Sequence, residues 1–401
     1  MLNLSNQNLP VINFLFIDGL PLDFFNPRSL ICFIAILQGA VFAALLLARY
    51  FKHRKTADVW LAALLTVLCL SLVTPFIGFA NVYDRNQWLT YFPFSISYSY
   101  GVLVWFYVRY LTNSKREFSR KDLLFFIPSV VYVAFRLFLF ARNLEFKRWF
   151  DENYYAPVVG TFVFVTEFAW NVAFLYFALK HYRKYRAWTD ENFSDTEKIK
   201  FDWLRNFLYL FTFIFILGAV FDFTNSFVFK LSYIQYFYFE LVLALVTYYL
   251  AVAGYLRSQP IELDFTPQRE TETKRALLSG KELERLKTKL QNLMENGKPH
   301  LNPQLTLNDL SKNLGVNAAV LSFVINNGFE KNFNDFVNQF RIAEVKAKLE
   351  QGEAEKLTLL AVAFDCGFNS KATFNRAFKK FTGVAPKEYA SMSDLGLRIS
   401  D

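Results

Sequence analysis

Cysteine and histidine are scarce in this 401-residue chain, three of each. Cys32, Cys69 and Cys366 stand far apart in an odd number, which argues against a disulfide framework or a zinc cluster. All three fall in apolar or helical patterns and read as small buried hydrophobes. His53, His181 and His300 are equally scattered, with no metal-ligand spacing. There is no phosphate-cradling glycine loop, no nucleophile elbow, no kinase signature and no phospho-acceptor domain. The chain therefore reads as a non-enzyme with no cofactor and no metal. A cleavable leader is not expected either, since the apolar stretch 11–17 is short and no Lys or Arg precedes it.

What the chain has in abundance is apolar surface, unevenly spread. Hydrophobic residues make up 54% and aromatics 19%, with 48 Phe, yet 20% of residues are charged. The apolar residues crowd before about position 256 and the charges after it, the pattern of a membrane part joined to a soluble part. The net charge of +9 suits nucleic acid and anionic lipid equally, so location decides its meaning.

A helix needs about 20 apolar residues to cross a hydrocarbon core roughly 30 Å thick. Seven runs meet this, at about 29–50, 57–80, 89–111, 122–141, 156–179, 203–227 and 232–256. Alternate loops are basic: Arg49, Lys52, Arg54 and Lys55; then Arg109, Lys115, Arg116, Arg120 and Lys121; then Lys180, Arg183, Lys184 and Arg186. The intervening loops are poorer in cations or balanced by carboxylates. Positive charge marks the cytoplasmic side, so the N-terminus is expected outside and the chain after Arg257 inside. Within the runs lie Arg136, Glu167, Asn171, Asp222 and Glu240, costly groups in lipid that normally face a bundle interior. They are candidates for a polar cavity open to the outside, with Arg136 paired to Glu167 or Glu240, able to receive a ligand. A structural ion pair or snorkelling would account for the same residues.

The expected organisation is a tail at 1–28, a membrane domain at 29–256, a linker at 257–280 rich in mixed charge, a soluble domain at 281–393 and a tail at 394–401. From 281 the periodicity is helical. Leu283, Leu286, Leu290 and Leu293 form one stripe. Thr306 caps a helix over 307–314, Gly315 supplies a left-handed turn, and Asn317 caps a second helix to about Asn326. A longer helix over 334–350 carries apolar residues on more than one side, as a bridge between two small cores would. The pattern then repeats: a helix from Thr358, a turn at Gly367, and a helix capped by Asn369 or Ser370. In this last helix Phe374, Phe378 and Phe381 face inward. Lys371, Arg376, Lys379 and Lys380 lie opposite, with Lys387 following and no carboxylate between 371 and 387. A one-sided cation cluster of this kind is the footprint of phosphate binding.

Two helix–turn–helix units joined by one long helix, ending in GFNSKATFNRAFKKFTGVAPKEY, resemble the AraC family of transcription regulators. Gly367, Phe368, Ser370, Phe374, Arg376, Phe378, Lys379, Gly383, Pro386 and Tyr389 match that family's second-unit pattern. Ala372 departs where Ser is common, and Ala390 where a terminal Arg is usual. The resemblance covers about 281–392. With the apolar runs it makes the chain all-α: about seven transmembrane helices read from those runs, followed by the double helix–turn–helix domain that the resemblance implies, on the cytoplasmic face of a bacterial inner membrane. It implies double-stranded promoter DNA as partner, with the second helix of each unit in successive major grooves, and contact with RNA polymerase. In the first unit the base-facing positions would be Ala318, Ala319 and Ser322 behind Asn317, a weak surface on which Phe323 replaces a common cation. In the second, Lys371, Thr373, Asn375 and Arg376 would read bases while Lys379 and Lys380 would hold phosphate. The lipid bilayer is the other partner. A homodimer is left open, and no signal ligand is identified. The alternative is a membrane receptor or transporter-like protein whose C-terminal helices bind a protein.

Overall fold

The computed structural model describes residues 26–113, 115–196, 199–256, 265, 280–351 and 357–394. The expected linker, except for Phe265 and Gly280, the C-terminal tail beyond Asp394 and the N-terminal tail up to residue 25 lie outside the described residues. Among the described residues the regular structure is helical, with isolated bridge residues that include the antiparallel pair Phe193 and Thr306. The chain divides into two compact units. One is Met1–Tyr182 with Asp202–Asp264; the other is Arg183–Phe201 with Phe265–Asp401.

In the first unit α1 (Pro27–His53) begins at Asn26, whose side chain caps the first turn, with Pro27 at the position that needs no amide hydrogen. It is followed by α2 (Thr56–Phe79), the short α3 (Val82–Arg85), α4 (Tyr100–Thr112), α5 (Ile127–Phe140) and α6 (Leu144–Phe150). Then come α7 (Gly160–Asn192), of which residues from Arg183 on are assigned to the second unit, α8 (Asp202–Phe223) and α9 (Tyr233–Leu256). A π-helical stretch, Asp151–Val159, joins α6 to α7 and accommodates Pro157. Six helical stretches are long and apolar enough to cross a membrane: Pro27–His53, Thr56–Phe79, Arg120–Phe140, Leu144–Asn192, Asp202–Val228 and Tyr233–Leu256.

The third expected run differs. Instead of one helix over 89–111, the chain forms a short 3₁₀ turn at Gln87–Leu89 and irregular backbone through Pro93. A second 3₁₀ turn at Ser97–Ser99 leads into the 13-residue α4. Pro93 offers no amide hydrogen and disfavours helix in the residue before it, so the helix starts late. The shorter helix is also the central one: Val102, Val104, Phe106 and Val108 are wholly buried. Arg49, read from sequence as a loop cation, is instead tied down. It makes two 2.7 Å bonds to the Asp58 carboxylate and one of 2.6 Å to Tyr255 O, fastening α1 to α2 and α9.

The second unit contains α10 (Gly280–Asn296), α11 (Leu307–Leu314), α12 (Ala318–Gly328), α13 (Phe333–Glu350), α14 (Leu359–Asp365), α15 (Lys371–Thr382) and α16 (Pro386–Asp394). Leu290, Met294, Leu307, Leu310, Leu321 and Val324 form one core, and Val362, Phe368, Phe374 and Phe378 belong to another. The helix α13 serves both, giving Phe333, Phe336 and Val337 to the first and Ile342, Val345 and Leu349 to the second.

Candidate nucleic-acid interface

Each half of the second unit is a helix, a left-handed turn and a second helix, and the caps show why the chain folds there. Thr306 Oγ1 accepts from Asp309 N at 3.1 Å while Asp309 Oδ2 accepts from Thr306 N at 3.2 Å, a reciprocal cap that starts α11. Gly315 at φ +73° ends it, and Asn317 Oδ1 accepts from Ala319 N at 2.8 Å to start α12. In the second half Thr358 caps α14, Gly367 turns at φ +91°, and Ser370 Oγ accepts from Thr373 N at 3.1 Å to start α15.

On α15 the side chains of Lys371, Asn375, Arg376, Lys379 and Lys380 are exposed. Positions 371 and 375, and 372, 376 and 379, share one face at helical spacing. Arg376 and Lys379 make no ion pair among the described residues, whereas Lys380 Nζ lies 2.7 Å from Asp335 Oδ2 and links α15 to α13. Lys380 is thus partly spent inside the domain. Thr373, expected to face bases, is 7% exposed and packs into the second core, because helical spacing puts it beside Phe374 and Ala377.

On α12 Ala319 is exposed and Ser322 half-buried, but Ala318 packs against the first core, and the Asn317 side chain is engaged as a cap. Asn326, one turn beyond Ser322, is exposed, and its Nδ2 lies 3.4 Å from Ser322 Oγ. It adds a polar group to this face that the sequence reading left out.

In the first unit of the chain, Glu167, Asp222 and Glu240 line one cavity of about 320 Å³ with Ser71, Ser97 and Tyr100. Tyr236 donates to Asp222 Oδ1 at 3.3 Å, and Glu240 Oε2 is sealed from solvent with no hydrogen-bond partner among the described residues. Two expected members lie apart from this cavity. Among the described residues Arg136 pairs with neither acid and sits over the Tyr91 ring, 5.0 Å from its centre. Asn171 is 0% exposed; it accepts from Gly101 N at 2.7 Å and donates to Ser97 O at 3.1 Å and Glu167 O at 3.0 Å. It satisfies the start of α4.

Around Arg341 is a cluster that sequence reasoning missed. Arg341 on α13 is 1% exposed. Its Nε donates to His300 O at 2.8 Å, and its Nη2 donates to Asn302 O at 2.9 Å and Ser194 Oγ at 3.0 Å. Burial pulls its guanidinium down to about 10, with Asp195 opposing the shift. A legible trace existed: Val337, Arg341 and Val345 fall four residues apart, which places a cation on an apolar face.

Comparison with known proteins matches residues 310–392 to the helix–turn–helix domain family. An uncharacterized HTH-type transcriptional regulator of Staphylococcus aureus (strain COL) is 33% identical over 90 residues, 22% of this chain and 12% of that protein. The melibiose operon regulatory protein of Escherichia coli (strain K12) is 26% identical over 89 residues, 22% of this chain and 28% of that protein. The chain thus spans a small part of the length of either relative. No solved structure matches.

Proposed function

Residues 310–392 being a helix–turn–helix domain of the AraC type, we propose that the chain is a membrane-embedded transcription regulator that binds promoter DNA on the cytoplasmic side. One observation carries the reading. The second helix of the second unit presents Lys371, Asn375, Arg376 and Lys379 outward with no carboxylate along it, in a domain that repeats the same unit twice. Arg376 can bond guanine and Asn375 adenine, each worth about 1–3 kcal/mol of discrimination. Lys379 supplies phosphate attraction without sequence preference. On α12 the surface of Ala319, Ser322 and Asn326 is small and polar and adds little direct readout. RNA polymerase is the expected further partner.

Membrane embedding is supported by the six long apolar helices and their outward side chains, among them Ile34, Leu37, Val130, Val165, Phe213 and Val220. In water these would be an unusual apolar surface; in lipid they are the solvated face. The chain makes seven passes in this reading. The third combines α4, about 20 Å long at 1.5 Å per residue, with the irregular stretch before it, in which Tyr91 and Ser97–Ser99 are buried against protein. Basic loops then fall on the side of the DNA-binding domain. The carboxylate-lined cavity is where the bundle would receive its signal.

The test is full-length protein in lipid nanodiscs mixed with genomic DNA fragments, with the bound fragments sequenced at several salt concentrations. A limited set of fragments is expected, with affinity falling steeply as salt rises because several cations displace counterions. Absence of DNA binding at low salt, with a protein captured instead, would favour the receptor reading.

A further inference from the structure

The segment between α7 and α8 belongs to the DNA-binding unit: Arg183–Phe201 clusters with Phe265–Asp401. Its core is a short strap, Phe193–Thr196, bonded to the residue before the cap of α11, to α13 and to the residue before the cap of α15. Ser194 N and Oγ both donate to Leu305 O, at 3.2 and 2.7 Å, beside the cap of α11. Asn334 Nδ2 on α13 donates to Phe193 O at 3.2 Å and Ser194 O at 2.8 Å. Arg341 Nη2 reaches Ser194 Oγ. Asn369, next to the cap of α15, donates to Asp195 Oδ2 at 3.0 Å and Pro303 O at 3.2 Å. Trp188 stacks edge-on with Phe193 at 5.5 Å and lies 5.4 Å from Phe265, closing the apolar side.

We infer that Ser194 and Asp195 are positioning residues for DNA binding: the strap fixes the separation of the two reading helices, and so the spacing of the two half-sites. The chemistry supports a clamp over a passive loop. Arg341 is buried, and its donors must be matched or the charge is left unsolvated. The strap supplies acceptors that α13 and the 300–305 turn cannot. Two reading helices joined through a single long helix can pivot about it. Bonds from one segment to the entry of α11, to α13 and to the entry of α15 remove that freedom.

This inference rests on the DNA-binding reading, and the experiment separates the two. Full-length protein in nanodiscs is titrated with a selected two-groove site, the same site with one half scrambled, and the same site with two base pairs inserted between the halves. Ser194→Ala combined with Asn334→Ala should weaken binding to the intact site about tenfold. Half-site affinity should stay within about twofold. The penalty for the inserted base pairs should shrink in the double variant, since loosened readers accept either spacing. Equal losses on intact and half sites, or no change at all, would overturn the strap's role. A wild-type protein that binds none of these DNAs would overturn the DNA-binding reading itself, and the inference with it.

Discussion

Gly367→Ala offers a sharp test of the packing around the second turn, because a matched control exists one helix away. Gly367 and Gly383 both adopt a left-handed backbone, at φ +91° and +79°. A side chain in that region costs about 1–2 kcal/mol by itself. A Cβ on Gly383 would meet nothing within 4 Å, whereas one on Gly367 would collide with His300 O and stand 3.0 Å from Arg341 Nε and Leu301 O. The turn would have to retreat from two backbone carbonyls and disturb the Arg341–His300 hydrogen bond, a charged and buried interaction worth about 1.5–3 kcal/mol. Gly383→Ala should therefore cost about 1 kcal/mol and Gly367→Ala about 3 kcal/mol or more. Cys366, 0% exposed in the second core, reports the difference in the intact protein. Alkylation under native conditions requires local opening, and its rate follows the opening equilibrium. The Cys366 peptide, quantified by mass spectrometry, should label about fivefold faster in Gly383→Ala and more than about 100-fold faster in Gly367→Ala. Equal rates in the two variants would refute the crowding argument and leave only the backbone penalty.

On DNA, Arg376→Ala should lower the preference for one base pair by about 1–3 kcal/mol, while Lys379→Ala should weaken all sequences alike and reduce the salt slope by about one; binding-site selection at three salt concentrations distinguishes them. His300 is 2% exposed, and burial pushes its imidazole down to about 4 from an ordinary 6.5. The unfolded chain then takes a proton first. Stability of this region should be full above about pH 6.5 and fall as pH drops towards 4, and His300→Phe should flatten that dependence in amide exchange of α13 corrected for intrinsic rates. In the bundle, Asn171→Ala should leave Gly101 N unsatisfied at the start of α4 and cost about 1–3 kcal/mol, read as a lower temperature of thermal aggregation in nanodiscs.

The reading domain was largely legible because its signals are local. Thr306, Gly315, Asn317, Gly367 and Ser370 are caps and turns whose chemistry acts within four residues, and each one stands in the structure where its spacing placed it. The bridging role of α13 followed from apolar residues on two sides, and both cores bear it out. The errors have equally physical causes. Thr373 was assigned to the outer face by motif position, although its neighbours in the helix turn it inward. The third apolar run satisfied a composition rule that takes no account of the backbone at Pro93. Arg136 was paired with Glu167 or Glu240 on cost alone, and nothing in a linear sequence tells an arginine that it will rest on a tyrosine ring instead. The strap was invisible because Ser194 and Arg341 lie 147 positions apart, and their bonds run largely to backbone carbonyls that no sequence pattern marks.

The most direct measurement is in cells. The chain is cross-linked to DNA in place, the membrane fraction is isolated, and the DNA attached to the full-length protein is sequenced, alongside a variant carrying Lys371→Ala, Arg376→Ala and Lys379→Ala. A small number of discrete chromosomal sites, recovered with the membrane and lost in the variant, is the expected result. Recovery of no enriched sites, or of the same sites from the variant, would contradict a membrane-held reader of DNA.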